Sequence, residues 1–168
     1  MNELPGMWRT ELWHVMLVHF PIVLLPGAAL LRVLSRFITD KHSGFLLKAS
    51  RLSLVVGVIF AWIAVYTGSL ADSIVVRALC DPTVLEDHEN SGYTVGVLFT
   101  IAALIDIGAM KFLAGRKRLV KKLTEWIVLL ILLAGSGYVA YTAHLGASMV
   151  YQQGAAVYMP SSDCSEFE

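Results

Sequence analysis

The sequence carries little charge. Only 15% of its 168 residues are Asp, Glu, Lys or Arg, whereas a soluble globular domain carries about 25%. Basic and acidic residues balance at 13 each, so no excess of positive charge points to nucleic acid as a partner. Hydrophobic residues make up 57% of the chain. This composition argues against an ordinary soluble domain and favours a protein whose main solvent is lipid.

Cysteine is also scarce. The chain has two, Cys80 and Cys164, and neither lies in a C-x-x-C-H sequence, which excludes covalently attached c-type haem. A nucleophile–base pair and a phosphate-binding loop are missing too, so a relay or binding role is expected more than a catalytic activity of its own. Both cysteines fall on one side of the predicted bundle. In an oxidising periplasm we predict a disulfide between them.

Long apolar stretches are what the sequence does contain. They predict four helices, at approximately residues 12–38, 46–76, 88–114 and 123–153, followed by a tail over 154–168. Each exceeds the roughly 20 residues needed to cross a bilayer, and the alternation typical of a membrane β-barrel is absent. No internal repeat is visible. We therefore expect one all-α domain, an integral membrane up-down four-helix bundle.

Basic residues concentrate in two of the predicted loops. The two groups are Arg32, Arg36, Lys41, Lys48 and Arg51, and Lys111, Arg116, Lys117, Arg118, Lys121 and Lys122. The positive-inside rule then predicts a bacterial inner (cytoplasmic) membrane protein with both termini in the periplasm. The periplasmic face is acidic, which is typical of a solvated polar surface and would also attract a basic periplasmic partner. Near the cytoplasmic end, Asp106 is expected to pair with Arg32 or Arg36.

Four of the five histidines are predicted to lie at the periplasmic end. His14 and His19 lie near one end of helix 1, His88 begins helix 3, and His144 lies near the end of helix 4. Ionisable side chains at membrane depth are costly, so they usually line a site or pair with a partner. We therefore predict a shared haem or metal site formed by these four residues, with His42 left outside it in a basic loop.

The spacing within helix 1 complicates this site. His14 and His19 are five residues apart, which points them about 140° apart on an ideal helix. Pro21 removes a backbone hydrogen bond and predicts a kink between them and the rest of the helix. Hydroxyl and carboxylate groups at the same end are expected to orient the histidines by accepting their second ring proton.

Several sequence motifs resemble those of one bacterial membrane protein family. WHVMLVHFPIVLLPGAAL resembles an H-P-x-L-V-H-F-P opening, TGSLAD ends the second helix, DHEN begins the third, and AHLGASMVYQQGAAV is similar to H-L-G-x-x-L-V-Y-x-x-G. Together they resemble the four-helix family catalogued as domain of unknown function 2231, from about Leu12 to Val157. Val15 departs from the opening pattern, where proline is common after the first histidine.

The resemblance implies that His14, His19, His88 and His144 are the family's signature histidines. It also implies an association with redox proteins, since relatives appear joined to cytochrome c-like or iron–sulfur modules. It implies no particular activity. The family's design is similar to that of small membrane cytochromes b, in which histidines on facing helices bind haem.

The leading hypothesis is a b-type cytochrome-like electron-transfer protein. The four histidines would hold one or two haems, with His19 and His144 as the first-choice pair, and electrons would pass between quinol and a periplasmic cytochrome or other redox subunit. Two alternatives stay open. The histidines, together with Asp72, Asp87 or Glu89, would bind a Zn, Cu or Fe ion, or the protein is a cofactor-free membrane anchor subunit of a redox complex.

Overall fold

The computed structural model describes residues 6–38, 42–112, 115–159 and 162. Its helices are α1 (Thr10–Leu17), α2 (His19–Phe37), α3 (His42–Val75), α4 (Thr83–Phe112) and α5 (Arg118–Gln153), with a short 3₁₀ turn, Val76–Ala78, after α3. No strand occurs within these ranges. Four spans are long and apolar enough to cross a membrane, α1 and α2 together forming the first. The predicted four-span, all-α architecture is confirmed.

The first span is two helices where the sequence predicted one. α1 ends at Leu17, Val18 forms a turn, and α2 begins at His19. Pro21 explains the break, because it has no N–H for the carbonyl of Leu17 four residues earlier and its ring crowds that carbonyl. Pro26 lies inside α2 without ending it. The predicted kink is therefore a break placed just ahead of Pro21.

The other three spans begin four or five residues earlier than predicted, at residues 42, 83 and 118. The first turn of each of these helices is polar, and a prediction based on apolar runs does not include it. At the start of α4, Asp81 Oδ1 accepts hydrogen bonds from the hydroxyl (2.6 Å) and the backbone N–H (3.0 Å) of Thr83. These bonds satisfy a free N–H at the helix start. Both hydrogen bonds stabilise the charged carboxylate and hold the pKa of Asp81 below its usual value, and the bond from the hydroxyl contributes more than the bond from the backbone.

The bundle consists of two closely packed halves, each made of two spans, which we call helix pairs. In the first pair the span formed by α1 and α2 packs along α3, and in the second pair α4 packs along α5. The pairs meet where α3 contacts α4 and where α2 contacts α5. In the described part of the chain α1 has no extensive contact with α5. We call the half with His14 and His88 the histidine end, and the half with Arg32 and Arg51 the basic end.

An apolar core closes the middle of the bundle. Leu25, Phe99 and Leu132 have no exposed surface. Two glycines allow the helices to approach this closely: a Cβ on Gly57 would lie 2.6 Å from Leu25 Cδ2, and one on Gly135 would lie 2.7 Å from Phe99 Cε2. Such small residues are how membrane helices obtain close contact. The core separates the histidine end from the basic end.

A buried ion cluster holds the basic end together. Arg32 is 1% exposed and Asp106 4%, and Asp106 Oδ2 accepts hydrogen bonds from Arg32 Nη2 (2.7 Å) and Arg51 Nε (3.0 Å). The predicted pairing of Asp106 is confirmed for Arg32. Arg36 instead lies over the ring of Trp126, 4.2 Å from its centre. One carboxylate thus joins α2, α3 and α4.

We expect Asp106→Ala to lower the free energy of unfolding by about 3 to 5 kcal/mol, because Arg32 would be left buried and unpaired. Glu125→Ala is the matched control, since it removes an exposed carboxylate from the neighbouring helix, and we expect a change within about 0.5 kcal/mol. Reversible unfolding in mixed micelles, followed by circular dichroism, measures both. Equal loss in the two variants would contradict the role assigned to the cluster.

Candidate functional site

The two helix pairs leave a slot between them at the histidine end, with a volume of about 410 Å³. Residues from all five helices line it. Its lining includes exposed residues of both helix pairs, among them Val15 of α1, Ser69 of α3, Tyr93 of α4 and Tyr151 of α5. The slot is therefore open to the outside of the bundle, while the core lies between it and the basic end.

Small side chains form much of the slot's two walls. They are Ala61, Ala64, Gly68 and Ala71 on α3, and Gly92, Ala143, Gly146 and Ala147 on α4 and α5. Larger side chains at these positions would fill the space between the pairs. The acidic residues of the lining, Glu11, Asp72 and Glu89, belong to three different spans.

His14 extends from α1 onto α3. Its Nδ1 lies 2.8 Å from the carbonyl oxygen of Ala64. A Cβ on Gly68 would lie 3.2 Å from both Cε1 and Nδ1 of His14, so the ring rests on the glycine. In an α-helix the Ala64 carbonyl accepts the N–H of Gly68. The Thr67 hydroxyl also donates to the Ala64 carbonyl (3.1 Å), so the imidazole shares this acceptor with donors of α3 itself. Gly68, which has no side chain, leaves room for the ring beside the carbonyl.

His88 repeats this arrangement in the second helix pair. Extending from α4 onto α5, its Nδ1 lies 3.0 Å from the carbonyl oxygen of Thr142. A Cβ on Gly146, four residues after Thr142, would lie 3.2 Å from Cε1 of His88. Each helix pair therefore fixes one histidine by a carbonyl and the glycine four residues later.

These hydrogen bonds fix the tautomer of both rings. A carbonyl oxygen can only accept, so Nδ1 of His14 and of His88 carries the proton. In a neutral imidazole Nε2 then keeps its lone pair, as it does in histidines that bind metals while their other nitrogen donates to a backbone carbonyl. Both side chains are thus oriented as metal ligands or as hydrogen-bond acceptors.

The two rings meet across the slot. Their centres lie 6.0 Å apart and their planes are at 88°. A metal ion held between two imidazole nitrogens, at about 2.0 Å from each, separates the ring centres by about 5 to 6 Å. The spacing of His14 and His88 is that of an edge-to-face ring contact. It also lies in the range for two imidazoles that share one metal ion, either alone or as the iron of a haem.

The other two predicted site residues lie differently. His19 is exposed and lines the slot near its opening beside α1, whereas His144 is exposed and lies outside the residues that line the slot. The structure thus brings together His14 and His88, and not the first-choice pair of His19 and His144. Within the described residues no group of three His, Cys, Asp or Glu side chains is arranged to hold a metal ion.

The histidines' partners differ from those expected. The sequence predicted hydroxyl and carboxylate groups, but both partners are backbone carbonyls, and the Thr142 hydroxyl itself donates to the carbonyl of Tyr138. The residues that sequence reasoning missed are therefore Ala64 and Thr142. The available signal was a glycine four residues later, which Gly68 provides in TGSLAD and Gly146 in AHLGAS.

The loop after α3 and the tail after α5 cover the histidine end. The backbone N–H of Asp81 donates to Gln153 Oε1 (2.8 Å), and Gln153 Nε2 donates to the Asp81 carbonyl (3.3 Å). Arg9 Nη2 donates to the carbonyl of Ala156 (3.1 Å), which lines the slot. Cys80 is exposed beside this loop. Cys164 lies outside the described residues, so the disulfide stays a prediction.

A protein-family model described as "Predicted membrane protein (DUF2231)" matches residues 12–158. This stretch includes both helix pairs apart from Thr10 and Glu11 at the start of α1, and every residue of the slot from His14 to Ala156. No curated protein matches the chain, and no solved structure does.

We expect His14 and His88 to be protonated on Nδ1 and unprotonated on Nε2, which ¹⁵N chemical shifts of histidine-labelled protein measure directly. Gly68→Ala and Gly146→Ala should each shift the resonances of the histidine resting on that glycine, because the added methyl group pushes the ring away from its carbonyl. Gly137→Ala is the matched control, since nothing lies within 4 Å of a Cβ there. An Nε2-protonated tautomer in the unmodified protein would contradict the assignment.

Proposed function

The chain belongs to this family of membrane proteins, and we propose that it is a b-type cytochrome-like electron-transfer protein that holds haem between His14 and His88. One observation carries the proposal: two imidazoles from different helix pairs, each held through Nδ1 by a carbonyl, face one slot with their centres 6.0 Å apart.

The number of available ligands favours haem over a bare ion. Haem iron takes one or two axial ligands from the protein, whereas zinc takes three or four. The described residues supply the slot with two convergent histidines and no third ligand in range. The alternative of a directly bound Zn ion therefore has less support, whereas Cu or Fe held by the same two imidazoles and a cofactor-free anchor stay as alternatives that the visible spectrum separates from haem.

The surroundings of the two histidines also suit haem. The small residues on α3 and α5 leave space between the helix pairs for a flat ring, and most of the lining is apolar. The carbonyls of Ala64 and Thr142 accept hydrogen bonds from the Nδ1–H groups. These bonds raise the basicity of Nε2 and fix the ring planes. Haem bound there supplies one-electron transfer. The protein's part is to orient the ligands, exclude water and set the potential.

Charge at the two ends supports an orientation and a partner. The basic end carries most of the Lys and Arg residues, so we place it in the cytoplasm and the histidine end in the periplasm of a bacterial inner membrane. The exposed acidic residues near the start of α4, Glu86 and Asp87, lie at the histidine end. They favour a basic periplasmic electron carrier, since complementary charge raises association rates.

We expect detergent-purified protein made with ample haem to show a Soret band, with sharp α and β bands after dithionite reduction. His14→Ala and His88→Ala should each remove the low-spin spectrum, because each deletes a side chain that would hold the haem iron. His144→Ala is the matched control, an exposed histidine of the same end, and should leave the spectrum unchanged. A flat spectrum in the unmodified protein rejects the haem assignment; bleaching by His144→Ala alone rejects the ligand pair.

We expect alkaline phosphatase fused after Glu168 to be active in a bacterial host, because this enzyme folds only where disulfides form. The same enzyme inserted between Gly115 and Arg116, in the loop before α5, should be inactive. The two fusions control for each other's expression. The reverse pattern would invert the orientation without affecting the cofactor assignment.

A further inference from the structure

The ion cluster at the basic end contains more positive than negative charge. Arg32 and Arg51 bring two positive charges to the single negative charge of Asp106. Arg32 is 1% exposed, and its Nε and Nη1 have no hydrogen-bond partner among the described residues. Buried donors are normally paired, and a buried charge without compensation is costly. The cluster is therefore one negatively charged acceptor short of balance.

A second pocket lies beside this cluster, with a volume of about 200 Å³. Its lining comes from α3, α4 and α5 and includes both Arg51 and Asp106. Arg51 connects the cluster with the pocket, because its Nε donates to Asp106 (3.0 Å) while its side chain stays 28% exposed. A ligand in the pocket therefore contacts a member of the cluster and lies within the field of its excess charge.

The other charges of the lining offset each other. Lys121 and Glu125 both line the pocket and lie one turn apart on α5, a spacing at which opposite charges attract. Adding this pair to the cluster leaves the excess of one positive charge unchanged. The carboxylate of Glu125 opposes an anion, but Glu125 is exposed, so water weakens its effect. The charge of the pocket therefore suits a ligand with one negative charge.

The position of the pocket indicates a lipid as this ligand. α4 ends six residues after Asp106 and α5 begins three residues before Lys121, so at about 1.5 Å per residue the pocket lies within roughly 10 Å of these helix ends. The two helices have 30 and 36 residues, more than the roughly 20 that cross the hydrocarbon, so their ends extend among the headgroups. Met110, 54% exposed, adds an apolar side chain to the lining. An amphipathic ligand matches this combination.

We propose that this pocket binds the phosphodiester of an anionic phospholipid from the leaflet at the basic end. The guanidinium of Arg51 donates to the phosphate oxygens, the charge-assisted bond that arginine forms with phosphate groups. The single negative charge of the phosphodiester balances the excess of the cluster, and the acyl chains extend past Met110 into the bilayer. Basic pockets between membrane helices bind anionic headgroups in this way. The site does not depend on what the slot at the histidine end holds.

Native mass spectrometry of the full chain, released from detergent micelles with added lipid, tests the proposal. The probes are phosphatidylglycerol, which carries one net negative charge, and phosphatidylethanolamine with the same acyl chains, which carries none. We expect phosphatidylglycerol to bind about tenfold more tightly, because the ammonium group of the other lipid adds positive charge to a pocket that has an excess of it. Equal binding of the two lipids would overturn the inference.

Two substitutions on α3 separate the pocket from a general attraction of lipid to basic residues. Arg51→Gln should weaken phosphatidylglycerol binding about tenfold or more, because it removes a charged donor, while the buried pair of Arg32 and Asp106 stays in place. Lys48→Gln is the matched control, since Lys48 is an exposed cation one turn earlier and outside the lining, and it should bind the lipid as before. Equal weakening in both variants would contradict a specific site.

Glu125→Gln gives a test with the opposite sign. It removes the carboxylate that opposes an anion and changes only an exposed side chain, so folding is not at risk. We expect phosphatidylglycerol to bind more tightly by about twofold to fivefold, and weaker binding would count against the charge balance described. Inorganic phosphate is the third probe. It should not displace the lipid at millimolar concentration, and displacement would make a free anion the ligand and overturn the assignment to a lipid.

Discussion

The histidine end depends on one ability of the helical backbone: a carbonyl that already accepts its own helical N–H can accept a second donor. Inside a bilayer no water is available to bind a buried imidazole N–H, so the donor must come to such a carbonyl or stay unsatisfied. In both cases a glycine lies four residues after the carbonyl and the imidazole rests on it, since a Cβ there would lie 3.2 Å from the ring. His14 and His88 both use this geometry, and the orientation of both rings follows from it.

The two histidine–carbonyl contacts join residues at similar separations in the sequence. His14 lies 50 residues before the residue whose carbonyl it binds, and His88 lies 54 residues before its own. In each case the histidine is on the first helix of a pair and the carbonyl on the second. Each half of the bundle thus contains the same kind of histidine–carbonyl contact, although no repeat is visible in the sequence. The repeated feature is a contact between distant residues, which a comparison of adjacent letters does not detect.

The sequence predicted the parts of this structure that depend on length, polarity and proline chemistry. The four apolar runs predicted four spans, and Pro21 predicted a disturbance in the first of them. The charge of Asp106 predicted an ion pair. Which histidines would meet was not predictable, because that depends on the rotation of each helix about its axis. His14 and His88 rest on Gly68 and Gly146, and in the sequence alone these glycines indicate only close helix packing.

The two histidines belong to helix pairs that touch each other less closely than each pair packs within itself. Any ligand held by both rings therefore fastens one half of the protein to the other. Its binding free energy adds to the cohesion of the bundle, since a ligand that binds the assembled state stabilises it by mass action. Each half contains two candidate membrane spans. A ligand held by both rings would therefore complete the assembly of the two halves, and its supply would affect how much protein persists in the membrane.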